Sequence, residues 1–211
     1  MYLLLTILGI DKELTSLIFS LPSSTLPITL MRFFSFEGAF ILIWLVIFIF
    51  IYKKYFAQKH TSKVFVELFI VLLIVNTIIN VAIKPLFARP RPLANQAQNY
   101  PPPQPFLINL FTLPPLDDHK PPITASYPHD FSFPSGHAAL AYAAALYLGL
   151  RDRKRLGVYV FLADIVAFSR VYLGYHYVLD VVGGALIGIT SVYVFMRLLK
   201  LNVVFDNNTE S

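Results

Sequence analysis

The sequence predicts an all-α membrane protein, a polytopic helical bundle of five spans preceded by an N-terminal interfacial helix. Three observations carry that expectation. Hydrophobic residues make up 56% of the 211 and charged residues only 14%, with a mean hydropathy of +0.64, which is too apolar for a soluble domain of this length. Several apolar runs, residues 64–83 for example, reach the ~20 residues that a spanning helix needs. The basic residues sit in short clusters between these runs, so the net charge of +5 does not describe a nucleic-acid-binding face. The chain has no cysteine, which excludes a disulfide, a thiolate zinc site and a thiol nucleophile.

Residues 1–10 are apolar but short, have no positive flank and run into Asp11-Lys12-Glu13, so they do not read as a cleaved leader. Within residues 1–21, Leu14, Leu17, Ile18 and Leu21 recur at helical spacing, the pattern of a helix lying in the membrane interface; a sixth span is the other reading of this stretch. The spans are expected at residues 26–52, 64–83, 135–150, 156–174 and 178–199, all in one membrane domain covering 1–211. Between the second and third lies a proline-rich loop, residues 85–134, which cannot be a lipid-exposed helix. Lysine and arginine accumulate in short cytoplasmic loops. Lys53, Lys54, Lys59 and Lys63 follow span one, Arg151, Arg153, Lys154 and Arg155 follow span three, and Arg197 and Lys200 follow span five. Five spans put all three clusters on the cytoplasmic side and leave the proline-rich loop and the turn 175–177 on the extracytoplasmic side.

That outer edge holds the chemistry. Lys84-x6-Arg91-Pro92 ends span two, Pro134-Ser135-Gly136-His137 opens span three, and Ser169-Arg170-x5-His176-x3-Asp180 joins spans four and five. Fixed cations at a membrane boundary require an anion as partner. A proline followed by small residues at a helix start leaves backbone N–H groups free for phosphate. His176 and Asp180, four apart, share one helix face, so the carboxylate can hold one imidazole nitrogen and leave the other to attack. His137 remains for proton transfer. Singly, each motif has an ordinary reading: snorkelling anchors for Lys84, Arg89 and Arg91, a plain helix start, a surface His–Asp pair. Their convergence on one membrane face favours the site. Zinc held by His137, His176 and Asp180 is the competing chemistry, and Lys84, Arg91 and Arg170 argue against it because three cations repel a divalent ion.

The three motifs resemble, residue for residue, those of the type 2 phosphatidic acid phosphatase superfamily, which includes bacterial lipid phosphatases such as phosphatidylglycerolphosphatase B and undecaprenyl-diphosphatase. The resemblance implies that His176 attacks phosphorus to form a phosphohistidine, that Asp180 orients it and that His137 protonates the leaving oxygen. It further implies that Lys84, Arg91, Arg170 and the amides of Ser135 and Gly136 bind the phosphoryl oxygens, with no metal or other cofactor. The partners it implies are the bilayer and a lipid phosphate, in a bacterial or archaeal cell membrane: phosphatidic acid, phosphatidylglycerol phosphate or a polyprenyl diphosphate. A phosphotransferase using the same intermediate, or an anion transporter, are the alternatives; the oligomeric state is not readable. Outside the family pattern, Asp117-Asp118-His119-Lys120 lies in the long loop, with His129 and Asp130 close before the second motif. Asn76, Asn80 and Lys84 form a polar stripe that is expected to pair with Asp164, deep in span four. Gly184-x3-Gly188 and the alanine-rich third span suit close helix packing.

Overall fold

The computed structural model describes residues 2–22, 24–36, 44, 46, 61–87, 89, 91–92 and 130–199. The elements among them are helical: α1 (Tyr2–Phe19), α2 (Thr25–Ser35), α3 (Thr61–Thr77), a π-helical turn (Ile78–Ile83), α4 (Lys84–Phe87), α5 (Gly136–Gly149), a 3₁₀ turn (Arg153–Arg155), α6 (Leu156–Tyr172) and α7 (Val178–Leu198). The long loop from 93 to 129, with Asp117, Asp118, His119, Lys120 and His129, lies outside the described residues, as do Lys53, Lys54, Lys59 and Lys200.

The bundle is built around α5. Ala138, Ala139, Ala141, Ala143, Ala144 and Ala145 are all buried, together with Tyr147 and Leu148. A helix that is apolar all round belongs at the centre, and α5 packs on α3, α6 and α7. Its 14 residues rise only about 21 Å, less than the ~30 Å hydrocarbon core. Small side chains let the neighbours close in. A Cβ added to Gly188 of α7 would stand 2.1 Å from the Ala139 carbonyl oxygen, so only glycine fits that crossing. Two helical stretches among the described residues are long and apolar enough to cross a membrane, Lys63–Phe87 and Val178–Leu198. Their exposed apolar residues, Phe69, Leu73 and Leu186 among them, face outward.

Two expectations need correction. The run 26–52 is not one continuous helix, because α2 stops at Ser35 and Phe36 is extended (φ −77°, ψ 129°). The Ser35 carbonyl is taken by Arg170 at 3.0 Å and Phe36 N–H closes back on Phe33 O, so the terminal groups bond outside the α-helical ladder. Asp164 does not pair with the asparagines. It accepts a hydrogen bond from the Tyr142 hydroxyl, while Asn80 Nδ2 donates to Asn76 O at 3.0 Å and Asn76 Oδ1 at 2.9 Å. Lys84 leaves that stripe because the π-helical turn adds a residue to the ladder, Lys84 N–H bonding Ile79 O. In α1, Leu14 and Leu17 are exposed, whereas Asp11 and Thr15 are buried against the bundle.

Among the described residues, Lys63, Arg151 and Arg197 of the three charge clusters lie at one end. Glu67, near the start of Lys63–Phe87, accepts from Arg151 and from the Tyr147 hydroxyl, each at 2.6 Å. Arg151 also reaches Met196 near the end of α7 at 3.8 Å. The motif residues occupy the opposite end.

Candidate active site

The turn between α6 and α7 positions the imidazole. Gly174 takes φ 71°, a left-handed conformation that side chains resist, and it turns Tyr175 and His176 back so that both their N–H groups bond to Arg170 O. His176 is buried, and α7 starts immediately after it, placing Asp180 at the third helical position. His176 Nδ1 lies 3.5 Å from Asp180 Oδ2, within ion-pair distance but with no hydrogen bond formed. On the other side of the ring an Arg91 η-nitrogen lies 3.1 Å from Nε2. A guanidinium only donates, so Nε2 presents its lone pair and the ring proton belongs on Nδ1, toward Asp180.

Asp180 is completely buried and heavily bonded. It accepts from Tyr177 N–H at 2.8 Å, from Arg89 at 2.7 Å and from the Ser132 hydroxyl. The first of these closes the N-terminus of α7 on itself. Charge behind the imidazole is thereby fixed in place before any substrate arrives.

The cations converge on the same spot. Arg91 donates to Tyr175 O at 2.7 Å and through Nε to Asp130 O at 3.0 Å; its other η-nitrogen pairs with the Asp130 carboxylate. Lys84 Nζ pairs with the second oxygen of Asp130. Arg170 donates to Ser35 O and to the Ser35 hydroxyl, and lies 4.5 Å from the centre of the Tyr175 ring. His137, in the first turn of α5, lies within the electrostatic reach of Arg170, His176, Lys84 and Arg91. Burial holds the His176 imidazole well below its ordinary value, and Arg91, Arg170 and Lys84 push the same way against Asp130. For the Asp130 carboxyl, burial acts upward but is outweighed by Arg91 and Lys84, which keep it well below the carboxylate range.

All the residues expected at the site are therefore brought together: His176, Asp180 and His137 with Lys84, Arg91, Arg170, Ser135 and Gly136. One detail changes. Ser135 N–H already donates to Asp180 O at 2.9 Å, because α5 and α7 start side by side, so this amide is not available to phosphate. The Ser135 hydroxyl, which caps α5 by accepting from Ala138 N–H, and the Gly136 N–H remain at that helix end. Sequence reading missed Ser132 and Ser35, since a serine carries no periodic or motif signal. It also took Arg89 for a boundary anchor and saw Asp11 only as the end of an apolar run. Among the described residues no group of three His, Cys, Asp or Glu side chains is arranged to hold a metal.

Fold and site together define a helical membrane protein whose buried imidazole stands among arginine and lysine side chains at one end of the bundle. The family follows from the comparison with known proteins. The chain belongs to the PAP2 superfamily, whose model matches residues 65–203. It is 38% identical over 76 residues to the bacitracin transport permease protein BcrC of Bacillus licheniformis (36% of this chain, 37% of that protein). It is 42% identical over 62 residues to the undecaprenyl-diphosphatase of Sulfolobus acidocaldarius (29% and 30%). The chain thus matches about a third of the length of these curated relatives. Among solved structures it is similar to Aquifex aeolicus LpxE, with a TM-score of 0.57 and 25% identity, covering 88% of this chain and 93% of the other. A PAP2-type phosphatidylglycerolphosphate phosphatase from Bacillus subtilis, with a TM-score of 0.55 and 17% identity over 92% and 87%, shares the fold.

Proposed function

We propose that this protein is a metal-independent lipid phosphatase that hydrolyses a phosphomonoester or diphosphate of a membrane lipid through a phosphohistidine, with its site on the extracytoplasmic side. The single observation that carries the reading is the placement of His176: Nε2 lies 3.1 Å from Arg91 among the cations while Nδ1 faces the buried Asp180. The site lies at the end of the bundle opposite the basic clusters, where a head group reaches Lys84 and Arg91 while its tails stay among the exposed apolar side chains.

The steps follow from the groups present. A phosphoryl group entering the cradle displaces Asp130 from Lys84 and Arg91 and takes their hydrogen bonds, with Arg170, the Ser135 hydroxyl and Gly136 N–H completing the shell. Arg91 turns from Nε2 to a phosphoryl oxygen, and Nε2 attacks phosphorus. The P–O bond to the leaving group breaks as His137 delivers its proton to that oxygen. Asp180 stabilises the positive charge left on the ring. Water then attacks phosphorus, its proton passes to His137, the P–N bond breaks and phosphate leaves. Fixed cations around the transferring group need no reorganisation at the moment of reaction, which is where electrostatic catalysis gains most.

The test is phosphate release in detergent, with chelator present, from phosphatidic acid, phosphatidylglycerol phosphate and a polyprenyl diphosphate. Release from at least one, lost in His176→Ala, is expected. A His176→Ala protein that still turns over would overturn the mechanism, and no release from any of them would overturn the function. Impermeant labelling of the loop between 93 and 129 in intact cells tests the orientation.

A further inference from the structure

The first helix reaches the catalytic carboxylate. Asp11 is buried in α1 and faces two partners at once. Its Oδ1 accepts from Leu179 N–H at 2.8 Å, in the first turn of α7, and its Oδ2 accepts from Arg89 at 2.5 Å. The same guanidinium donates to Asp180 Oδ1 at 2.7 Å and lies over the Tyr177 ring, 4.0 Å from its centre. One turn on, Thr15 Oγ1 accepts from Val178 N–H at 3.1 Å. Arg89 is thus held between two buried carboxylates, 16% of its side chain accessible and none of theirs.

The charge count gives this chain of contacts a purpose. A guanidinium paired only with Asp180 would cancel the negative charge that must support the ring when His176 becomes cationic. Shared with Asp11, it leaves the trio with one net negative charge while still fixing the Asp180 rotamer through a rigid fork. We infer that Asp11 is a positioning residue for the nucleophile, acting through Arg89 on Asp180, so that α1 is part of the active centre and not only a membrane anchor. Asp11 touches neither His176 nor the anion cradle. Its effect runs entirely through Arg89, and it rests on the phosphohistidine reading above.

Full-length protein in detergent, assayed for phosphate release on whichever lipid phosphate the wild type hydrolyses, tests this. Asp11→Asn keeps an acceptor for Leu179 N–H but loses the charge. It is expected to lower kcat by about 10- to 100-fold, as loss of an orienting partner does elsewhere, with KM and the melting temperature little changed. Arg89→Gln should lower kcat as well, and the double variant should lose no more than the worse single one, because both act along one path. Thr15→Val cuts the neighbouring α1–α7 bond without touching Arg89 and should keep wild-type kcat. Wild-type kcat in Asp11→Asn, losses that multiply in the double variant, or an equal loss in Thr15→Val would each overturn the inference while leaving hydrolysis by His176 intact. If Asp11→Asn fails to fold, Arg89→Lys takes its place, since a single ammonium cannot serve both carboxylates in the fork geometry; a lowered kcat is expected there, and a wild-type kcat overturns the inference too. A wild type without activity would instead strike the phosphatase reading.

Discussion

Replacing Gly188 by alanine perturbs the crossing on which the site is hung. The added Cβ would lie 2.1 Å from Ala139 O and 3.0 Å from its carbonyl carbon, and both of these are backbone atoms, so no side chain can swing away. Ordinary contact begins near 3.4 Å, which asks α5 and α7 to part by roughly 1 Å at this point. Overpacking of this kind costs about 1–3 kcal/mol. The displacement reaches the chemistry because Ser135 and Asp180 sit on these same two helices and are joined by the 2.9 Å bond from Ser135 N–H. A misplacement of that size at a catalytic group costs on the order of 100-fold in rate. The assay is a thermal melt and turnover measured on the same detergent preparation, with Gly157→Ala as control, since a Cβ there meets nothing within 4 Å. Gly188→Ala is expected to melt earlier and turn over far more slowly than the control. Should it match Gly157→Ala in both, the helix crossing does not set the site.

The remaining predictions concern charge. Because the His176 pKa is lowered and the proposed mechanism uses the neutral ring as nucleophile, the acid limb of kcat/KM should lie below pH 6.5, the usual histidine value. The same shift has a stability consequence: between the two pKa values the unfolded chain binds more protons, so stability falls on acidification from about pH 6.5, which a melt series at decreasing pH would show. Asp130→Asn removes the carboxylate that competes for Lys84 and Arg91. Because Asp130 is half-exposed the pair is worth no more than about 1 kcal/mol, so KM should fall by up to about fivefold, and a raised KM would show instead that Asp130 helps bind substrate. Arg91→Lys keeps the charge but cannot hold Tyr175 O, Asp130 and Nε2 together, and it should lower kcat/KM by on the order of 100-fold; turnover kinetics near wild type would refute that role.

Much of the site was legible because its residues are written as short motifs at helix ends. The pairing of His176 with Asp180 needs only a four-residue spacing, and Pro134-Ser135-Gly136 marks a helix start; α5 begins at Gly136 as that pattern requires. The ends of α6 and α7 also fall within a few residues of the expected spans. What stayed hidden depends on long-range partners. Asp11 and Asp180 lie 169 positions apart in sequence and meet only through Arg89, and nothing local to α1 marks its polar face as the buried one. Ser35 is similar, since its importance comes from Arg170 on α6. The break after α2 was missed for the reverse reason: an apolar run reads as uninterrupted helix when the group that ends it is a distant arginine.

The π-helical turn of Ile78–Ile83 reconciles two demands that a regular helix of this sequence could not meet together. A helix in lipid must keep one face toward its neighbours along its whole length, and Val71, Val75 and Ile79 do so. The cation required at its tip, Lys84, is buried on that same face, yet in a regular helix it would stand about 140° round from Ile79. By admitting one residue more than the α-helical ladder holds, the turn shifts the phase of everything after it by about 100°, leaving the packing below undisturbed. Deleting one residue there would restore a regular helix with the lysine four residues from Ile79 and still on the buried face, whereas this sequence wound without the extra residue's bulge would swing Lys84 out toward the lipid. The aim of the lysine and the seating of its helix thus share one face, and the one extra residue in the turn is what lets them do so.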